Sequence, residues 1–246
     1  KPGDVIPLLK PAALALCLAA SPALAGSPGE VAPVPDMIAP APAAPLAYNW
    51  SGAYAGLHLG HISGHQRWRF PSIGTQNVAD PMGYGLGAFV GYNWQRGPRL
   101  VFGVEAEINA TQARFTREML DLNRNQIPGN VASGRSELGM SSALRLRVGI
   151  PVNRSLAYAA VGVAQARHRL TWLNNGVVQD VLNQNRTGYS FALGLERALS
   201  DRWHLRGEAR ITDFGTPSYP ALPGGTPPST SRLILTEVRV GMAYRF

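Results

Sequence analysis

Residues 232–246 read RLILTEVRVGMAYRF, and their alternation decides the fold. Val238, Val240, Met242, Tyr244 and Phe246 fall on one parity, while Glu237, Arg239, Gly241, Ala243 and Arg245 fall on the other. A strand flips its side chains at every residue, so this stretch has one apolar face and one small or charged face. The pattern recurs upstream. Over about 99–109, Leu100, Phe102, Val104, Ala106 and Ile108 oppose Gly103, Glu105, Glu107 and Asn109. Over about 137–150, Leu138, Met140, Leu144, Leu146, Val148 and Ile150 oppose Glu137, Ser141, Arg145, Arg147 and Gly149. Over about 202–213, Trp203, Leu205, Ala209 and Ile211 oppose His204, Arg206, Glu208 and Arg210.

Working outward, eight such segments are read at about 50–61, 84–94, 99–109, 137–150, 155–169, 188–199, 202–213 and 232–246. In the first and fifth both faces are small or apolar, so no register is assigned there. The connections alternate in length. Residues 95–98, 151–154 and 200–201 are tight turns, whereas about 62–83, 110–136, 170–187 and 214–231 are long loops. An even-stranded barrel with both termini on the short-turn side requires this alternation. The expectation is an all-β fold over 48–246: an eight-stranded antiparallel up-and-down transmembrane β-barrel, in the outer membrane of a Gram-negative cell, with periplasmic termini.

The charged face nearly balances. Its acids are Glu105, Glu107, Glu137, Glu196, Glu208 and Glu237; its bases are Arg145, Arg147, Arg206, Arg210, Arg239 and Arg245. Eight strands enclose an interior that side chains just fill, and buried charges are tolerated there only as hydrogen-bonded pairs. A lumen plugged by Arg–Glu pairs follows, with some of the set at the watery rims. A soluble lipocalin-like barrel would turn its apolar face inward. Against it stand Tyr92, Trp94, Trp203, Tyr244 and Phe246 near the short-turn strand ends, with Trp50 near the start of the first strand. Aromatic residues at one level suit a membrane interface.

Composition agrees. Of 246 residues 45% are hydrophobic and 15% charged. Even so, no apolar run reaches the roughly 18 residues of a spanning helix, so a membrane would be crossed by strands. The net charge is +8, carried by Arg apart from Lys1 and Lys10, and no basic cluster follows a helical pattern. Anionic lipid or lipopolysaccharide is therefore the expected partner, and nucleic acid is not. The lone cysteine, Cys17, lies in a leader: Ala12–Ala20 is an apolar run followed by Ala23-Leu24-Ala25, so residues 1–25 read as a signal peptide cleaved after Ala25. Residues 26–47, with six prolines between Pro28 and Pro45, read as a disordered Pro/Ala-rich periplasmic linker.

Two motifs carry a resemblance to a family. Trp50-Ser-Gly-Ala-Tyr54-Ala-Gly56, with Gly60 beyond it, follows the Pro/Ala-rich segment, and Val238–Phe246 ends the chain. Together they resemble the small outer-membrane β-barrel family of alphaproteobacterial surface antigens and opacity-type porin-like barrels. The resemblance covers 48–246. It implies a surface antigen, adhesin, envelope-stability protein or narrow porin. It also implies that Val238, Val240, Met242, Tyr244 and Phe246 form the signal read by the barrel-assembly machinery.

An enzyme is the weaker reading. Some small barrels edit lipid A, and His61-Ile-Ser63 resembles the deacylases' His-x-Ser-Asn, but Gly64 stands where they have Asn. No acid lies nearby to orient His61, though Glu107 or Glu237 could approach across the barrel. His58, His61 and His65 lack acids for a metal site. No phosphate-loop, dinucleotide or CxxC pattern occurs, so no catalytic residue, cofactor or metal is expected. The loops are richer in Arg than in acids. Arg67, Arg69, Arg114, Arg117, Arg124 and Arg135 form a candidate lipopolysaccharide collar, since Arg pairs well with phosphate. The same loops could meet a host or matrix ligand. A non-enzymatic envelope or surface-interaction barrel is thus favoured over a narrow channel for ions or small solutes, and over a lipid-A-modifying enzyme.

Overall fold

The computed structural model describes residues 48–118, 120–121 and 132–246, and for Ala79, 113–118, 120–121 and Ala132 the backbone alone. The expected signal peptide (1–25), the linker (26–47) and Arg124 lie outside the described residues. The described residues form one antiparallel sheet of eleven strands. These are β1 (Gly52–Phe70), β2 (Thr75–Ala79), β3 (Met82–Arg96), β4 (Leu100–Glu118), β5 (Leu120–Asp121), β6 (Ala132–Val152), β7 (Ser155–Asn174), β8 (Val177–Ala198), β9 (Trp203–Asp213), β10 (Ser218–Tyr219) and β11 (Ser229–Arg245).

Register groups most of the short strands with the long ones. Along β1, Gln66 faces Ala79 of β2 and Ser63 faces Met82 of β3, three steps on either side. The two are therefore one stave, interrupted at Asp80-Pro81. Pro81 has no amide hydrogen for the ladder, and its carbonyl accepts instead from Gly64 N at 2.7 Å. Likewise Met82 faces Arg114 of β4 and Thr75 faces Asp121 of β5, seven steps on either side, so β5 prolongs β4. The long strands pair β1–β3–β4–β6–β7–β8–β9–β11, and β11 returns to β1, with Tyr54 opposite Arg245. This ring of eight has no first or last member, which is how a sheet satisfies its backbone in lipid.

The faces are as unlike as the sequence pattern requires. Leu146 is 62% exposed, Val240 59% and Phe102 42%, all outward, while Glu105 and Arg145 are 2% exposed inside. The structure also sets the two undecided registers. In β1, Tyr54, His58, Ile62 and Gln66 point in and Leu57 and Leu59 point out; in β7, Leu156, Tyr158, Ala160 and Ala164 point in and Val161 and Val163 point out. On the outer wall each strand is apolar over only part of its length, from Phe102 to Ala110 on β4 and from Leu144 to Val152 on β6. At ~3.4 Å per residue and a tilt near 40°, this gives a belt of roughly 20–25 Å, the height of a barrel's lipid-facing band.

Three expectations are corrected. Three of the four long loops are largely strand among their described residues: β1 runs to Phe70, β4 to Glu118, β6 starts at Ala132, and β7 and β8 continue to Asn174 and from Val177, whereas 214–231 stays mostly irregular. The expected loop at 170–187 is a hairpin whose turn is Asn175-Gly176, both at positive φ (50° and 77°). Those angles match the two-residue turn that follows strand twist, and Asn-Gly is its sequence signal. Second, Leu138 faces inward at 5% exposure, not outward. The pairing of β6 slips between Leu138 and Ser141, and this bulge exchanges the faces beyond it. Third, Trp50 is 1% exposed and closes the lumen floor instead of joining the outer aromatic ring; Tyr92, Trp94, Trp203 and Phe246 do lie outside.

Gly194 sits opposite Tyr158, whose ring lies flat over it. Any Cβ at Gly194 would run into that ring. Gly194→Val should therefore lower barrel stability by about 1–3 kcal/mol, the usual cost of overpacking, measured by urea unfolding in vesicles.

Candidate functional site

The lumen is stacked in layers. At the short-turn end Trp50, Val101, Leu156 and Ala198 pack together, with Tyr48 against them. The Tyr48 ring lies between Arg154 and Arg245, whose guanidinium carbons are 5.0 and 5.1 Å from its centre. Its hydroxyl donates to the Asp201 carbonyl at 3.1 Å and lies 2.7 Å from His204 Nε2. Burial raises the pKa of that hydroxyl above its ordinary value, so it remains a donor at neutral pH. Arg245 donates to the Asn49 carbonyl, and Trp50 N donates to Gln95 Oε1 at 2.7 Å, so residues 48–50 are fastened across this mouth.

Above this floor lies an ionic layer of five carboxylates and five guanidiniums. Glu105 accepts from Arg145, from Arg206 Nη1 at 2.7 Å, from Arg147 Nη1 at 3.5 Å and from the Tyr54 hydroxyl at 2.9 Å. Glu196 takes Arg147 Nη2 at 2.7 Å, Arg206 Nη2 at 3.3 Å and His204 Nδ1 at 3.0 Å. Glu208 binds Arg145 Nη1 at 2.7 Å, Arg239 Nε at 2.9 Å and the Tyr158 hydroxyl at 2.6 Å. Glu107 binds Arg210 and, at 3.0 Å, Arg239 Nη2, and Arg145 Nη2 lies 3.3 Å away. Glu237 takes Arg210 Nε at 2.6 Å. Arg147 also stacks on Tyr158 at 4.0 Å and Arg206 on Phe89 at 4.2 Å. All ten charged side chains belong to residues no more than 9% exposed. Adjacent strands supply some pairs directly: Glu105 faces Arg145, Glu237 faces Arg210, and Arg239 faces Glu208.

Two apolar layers follow. Ile62, Leu138, Ala166, Phe214, Leu233 and Leu235 form the first; Trp68, Phe70, Leu170, Trp172 and Tyr219 form the second, nearer the far end. Beyond them the 214–228 segment ties back to β8. Gly224 N donates to Asp180 at 2.8 Å, and Thr226 donates through both hydroxyl and amide. The Thr226 hydroxyl, with those amides, holds the Asp180 carboxyl below the usual range.

Of the twelve charged positions read from the sequence, ten meet in this network. Glu137 is a correction: it lies beyond the β6 bulge, on the exchanged face, opposite Arg114 and Arg169. So is Arg245, half-buried at the mouth on Tyr48 and Asn49. Val238, Val240, Met242 and Phe246 are exposed on the outer wall, and the Tyr244 ring lies 5.1 Å from Trp203 and 5.4 Å from Phe246. Among the collar positions, Arg69 and Arg135 are exposed and Arg67 is half-buried, all beyond the apolar belt; the side chains of Arg114 and Arg117 lie outside the described set. Arg167 and Arg169 on β7 are exposed on the same outer zone. His61 meets Tyr84 edge-to-face outside the barrel, at 5.4 Å, and His65 pairs with Asp80 at 2.8 Å. His58 faces the lumen, 2.8 Å from Asn109 Oδ1.

Sequence reasoning missed Tyr54 and Tyr158, whose hydroxyls complete Glu105 and Glu208. The available signal was an aromatic residue facing a glycine: Tyr54 is opposite Gly91 and Tyr158 opposite Gly194.

A closed sheet with a greasy exterior and an ion-paired core defines an outer-membrane barrel. The chain belongs to the family described as the outer membrane protein beta-barrel domain, whose model matches residues 12–246. It is 31% identical over 217 residues to a 25 kDa outer-membrane immunogenic protein of Brucella abortus, covering 88% of this chain and 87% of that one. It is 27% identical over 179 residues to a 22 kDa outer membrane protein of Rhizobium leguminosarum, covering 69% and 68% respectively. Among solved structures, OprG of Pseudomonas aeruginosa shares 13% identity at a TM-score of 0.47, covering 80% of this chain and 96% of that one.

Glu105 is the junction of three guanidiniums, so its neutral isostere would strand them. Glu105→Gln should cost about 3–5 kcal/mol of unfolding free energy, the range for removing one partner of a buried pair. The double variant Glu105→Gln, Arg206→Gln should lose less than the two single losses together. Urea titration followed by tryptophan fluorescence measures both.

Proposed function

We propose that this chain is a closed envelope and surface barrel, whose work is done by its outer wall and far rim and not by transport or catalysis. The lumen carries the reading. A neutral ionic layer lies between apolar layers, and the cavity beside Glu107 and Arg210 is about 20 Å³, room for a single water. Relatives named as immunogenic outer-membrane proteins support a surface role. His61 and Ser63 sit on the outward parity of β1, away from Glu107 and Glu237, which supports a non-enzymatic reading. In planar bilayers the refolded full chain should give no steady conductance steps; regular unitary steps would establish a narrow pore instead.

Tyr48, where the described residues begin, and Phe246 share an end with the three tight turns, which favours a periplasmic side for that end. The described Arg side chains beyond the apolar belt, Arg67, Arg69 and Arg135 with Arg167 and Arg169, suit the phosphates of lipopolysaccharide, and Arg114, Arg117 and Arg124 complete the collar read from the sequence. They dock the barrel in the outer leaflet and present the far rim to host or matrix ligands. Changing Arg69, Arg135, Arg167 and Arg169 together to Gln should reduce lipopolysaccharide co-purification several-fold; unchanged recovery refutes the collar. The exposed row ending in Phe246 serves as the signal for the barrel-assembly machinery. Phe246→Ala should slow assembly, seen as accumulation of the heat-unshifted species on gels.

A further inference from the structure

Arg186 stands outside the charge balance of the ionic layer. It projects inward from β8 and is 3% exposed. Its Nε and Nη2 donate to the Tyr219 hydroxyl at 3.1 and 2.6 Å, and Nη2 also donates to the Ser231 carbonyl at 3.0 Å. All of these partners are neutral, and Nη1 has none. His168, 1% exposed, faces the same level from β7, one inward position along from Ala166, the residue opposite Arg186. Such residues are diagonal neighbours across a strand pair, and the Arg186 charge reaches the ring electrostatically. His168 Nε2 is 2.7 Å from Ser136 Oγ, and Nδ1 is unpartnered. In the tautomer in which the serine hydroxyl donates to Nε2, the ring proton lies on Nδ1, a second free donor. Gln66, fully buried, donates from Nε2 to Ser231 Oγ at 3.2 Å and leaves its Oε1, an acceptor, without a partner.

A guanidinium removed from water without an opposite charge is strongly unfavourable, and unsatisfied polar atoms in one level compound it. We propose that this level binds one small inorganic anion of chloride size, held by Arg186 Nη1 with His168 Nδ1 as the second donor. The surroundings set the size. Leu233 and Phe214 lie to one side and Trp68 and Trp172 to the other, all no more than 7% exposed, which favours a small ion over a lipid headgroup or a sugar phosphate. Among the described residues, the site neutralises a lumen cation that the Glu set does not reach, independently of whether the outer wall binds lipopolysaccharide.

Crystals of the refolded full-length chain grown in bromide should show an anomalous peak within hydrogen-bond reach of Arg186 Nη1. A water refined there with no anomalous signal overturns the proposal. At fixed ionic strength and pH, the half-time of unfolding in hot detergent should be at least several-fold longer in chloride or bromide than in gluconate. Arg186→Gln should abolish that difference. Equal half-times for the wild-type chain, or a difference that survives in a folded Arg186→Gln, also overturn it. Because the bromide map is made on the wild-type chain, a variant that fails to fold leaves the test decisive.

Discussion

Glu105, shared among Arg145, Arg147 and Arg206, embodies the constraint on which the structure depends: polarity banished from the outer wall must be reconciled inside. Lipid accepts neither free backbone groups nor charges, so the sheet closes on itself and turns its apolar parity outward. Eight strands leave an interior with little room for water, and inward side chains from opposite walls touch. Charges so confined are tolerable only when their sum vanishes and the charged groups are hydrogen-bonded to one another. The layer meets both conditions through shared, not private, pairs, although Arg145 Nε and Arg206 Nε have no partner. Tyr54 and Tyr158 take the remaining lone pairs, and the adjacent apolar layers need no further polar partners.

Much of this was legible in the sequence because the physical demand is local. Glu105 and Glu107 alternate with Val104, Ala106 and Ile108, and Arg145 and Arg147 with Leu144 and Leu146, so parity alone separates inside from outside. What escaped was set by non-local or irregular geometry. The parity of Leu138 depends on a slip of β6 against β7 that no residue type announces. Trp50 has the composition of an interfacial anchor, yet its place under His204 is fixed by a strand that pairs with the end of the chain. Polar composition at 170–187 reads as loop, although Asn175-Gly176 was a hairpin signal in plain view. Arg186 falls in that stretch and is buried because β8 begins as early as Val177.

The belt and the wall have different heights. β8 is 22 residues long and β7 is 20, about twice what a bilayer requires. The excess stands beyond the apolar belt as a ribbon whose outer face carries Arg167, Arg169, Asn183 and Asn185. Its inner face remains packed by Trp68, Leu170 and Trp172, so the projection is stiffened from within. Whatever meets this end of the molecule meets a rigid edge and a basic flank.

The seam between β1 and β11 sets the order in which the molecule can be made. Tyr54 and Arg245 are neighbours across it, yet nearly the whole domain separates them along the chain. Contacts of such long range form slowly, since ordering of the intervening chain precedes any gain from them. Until the last strand arrives, the first has an open flank on one side, the template on which foreign strands add. The final residues are therefore the clasp of a cylinder as well as a wall segment. A nascent barrel must be kept apart from its neighbours for as long as that clasp stays undone.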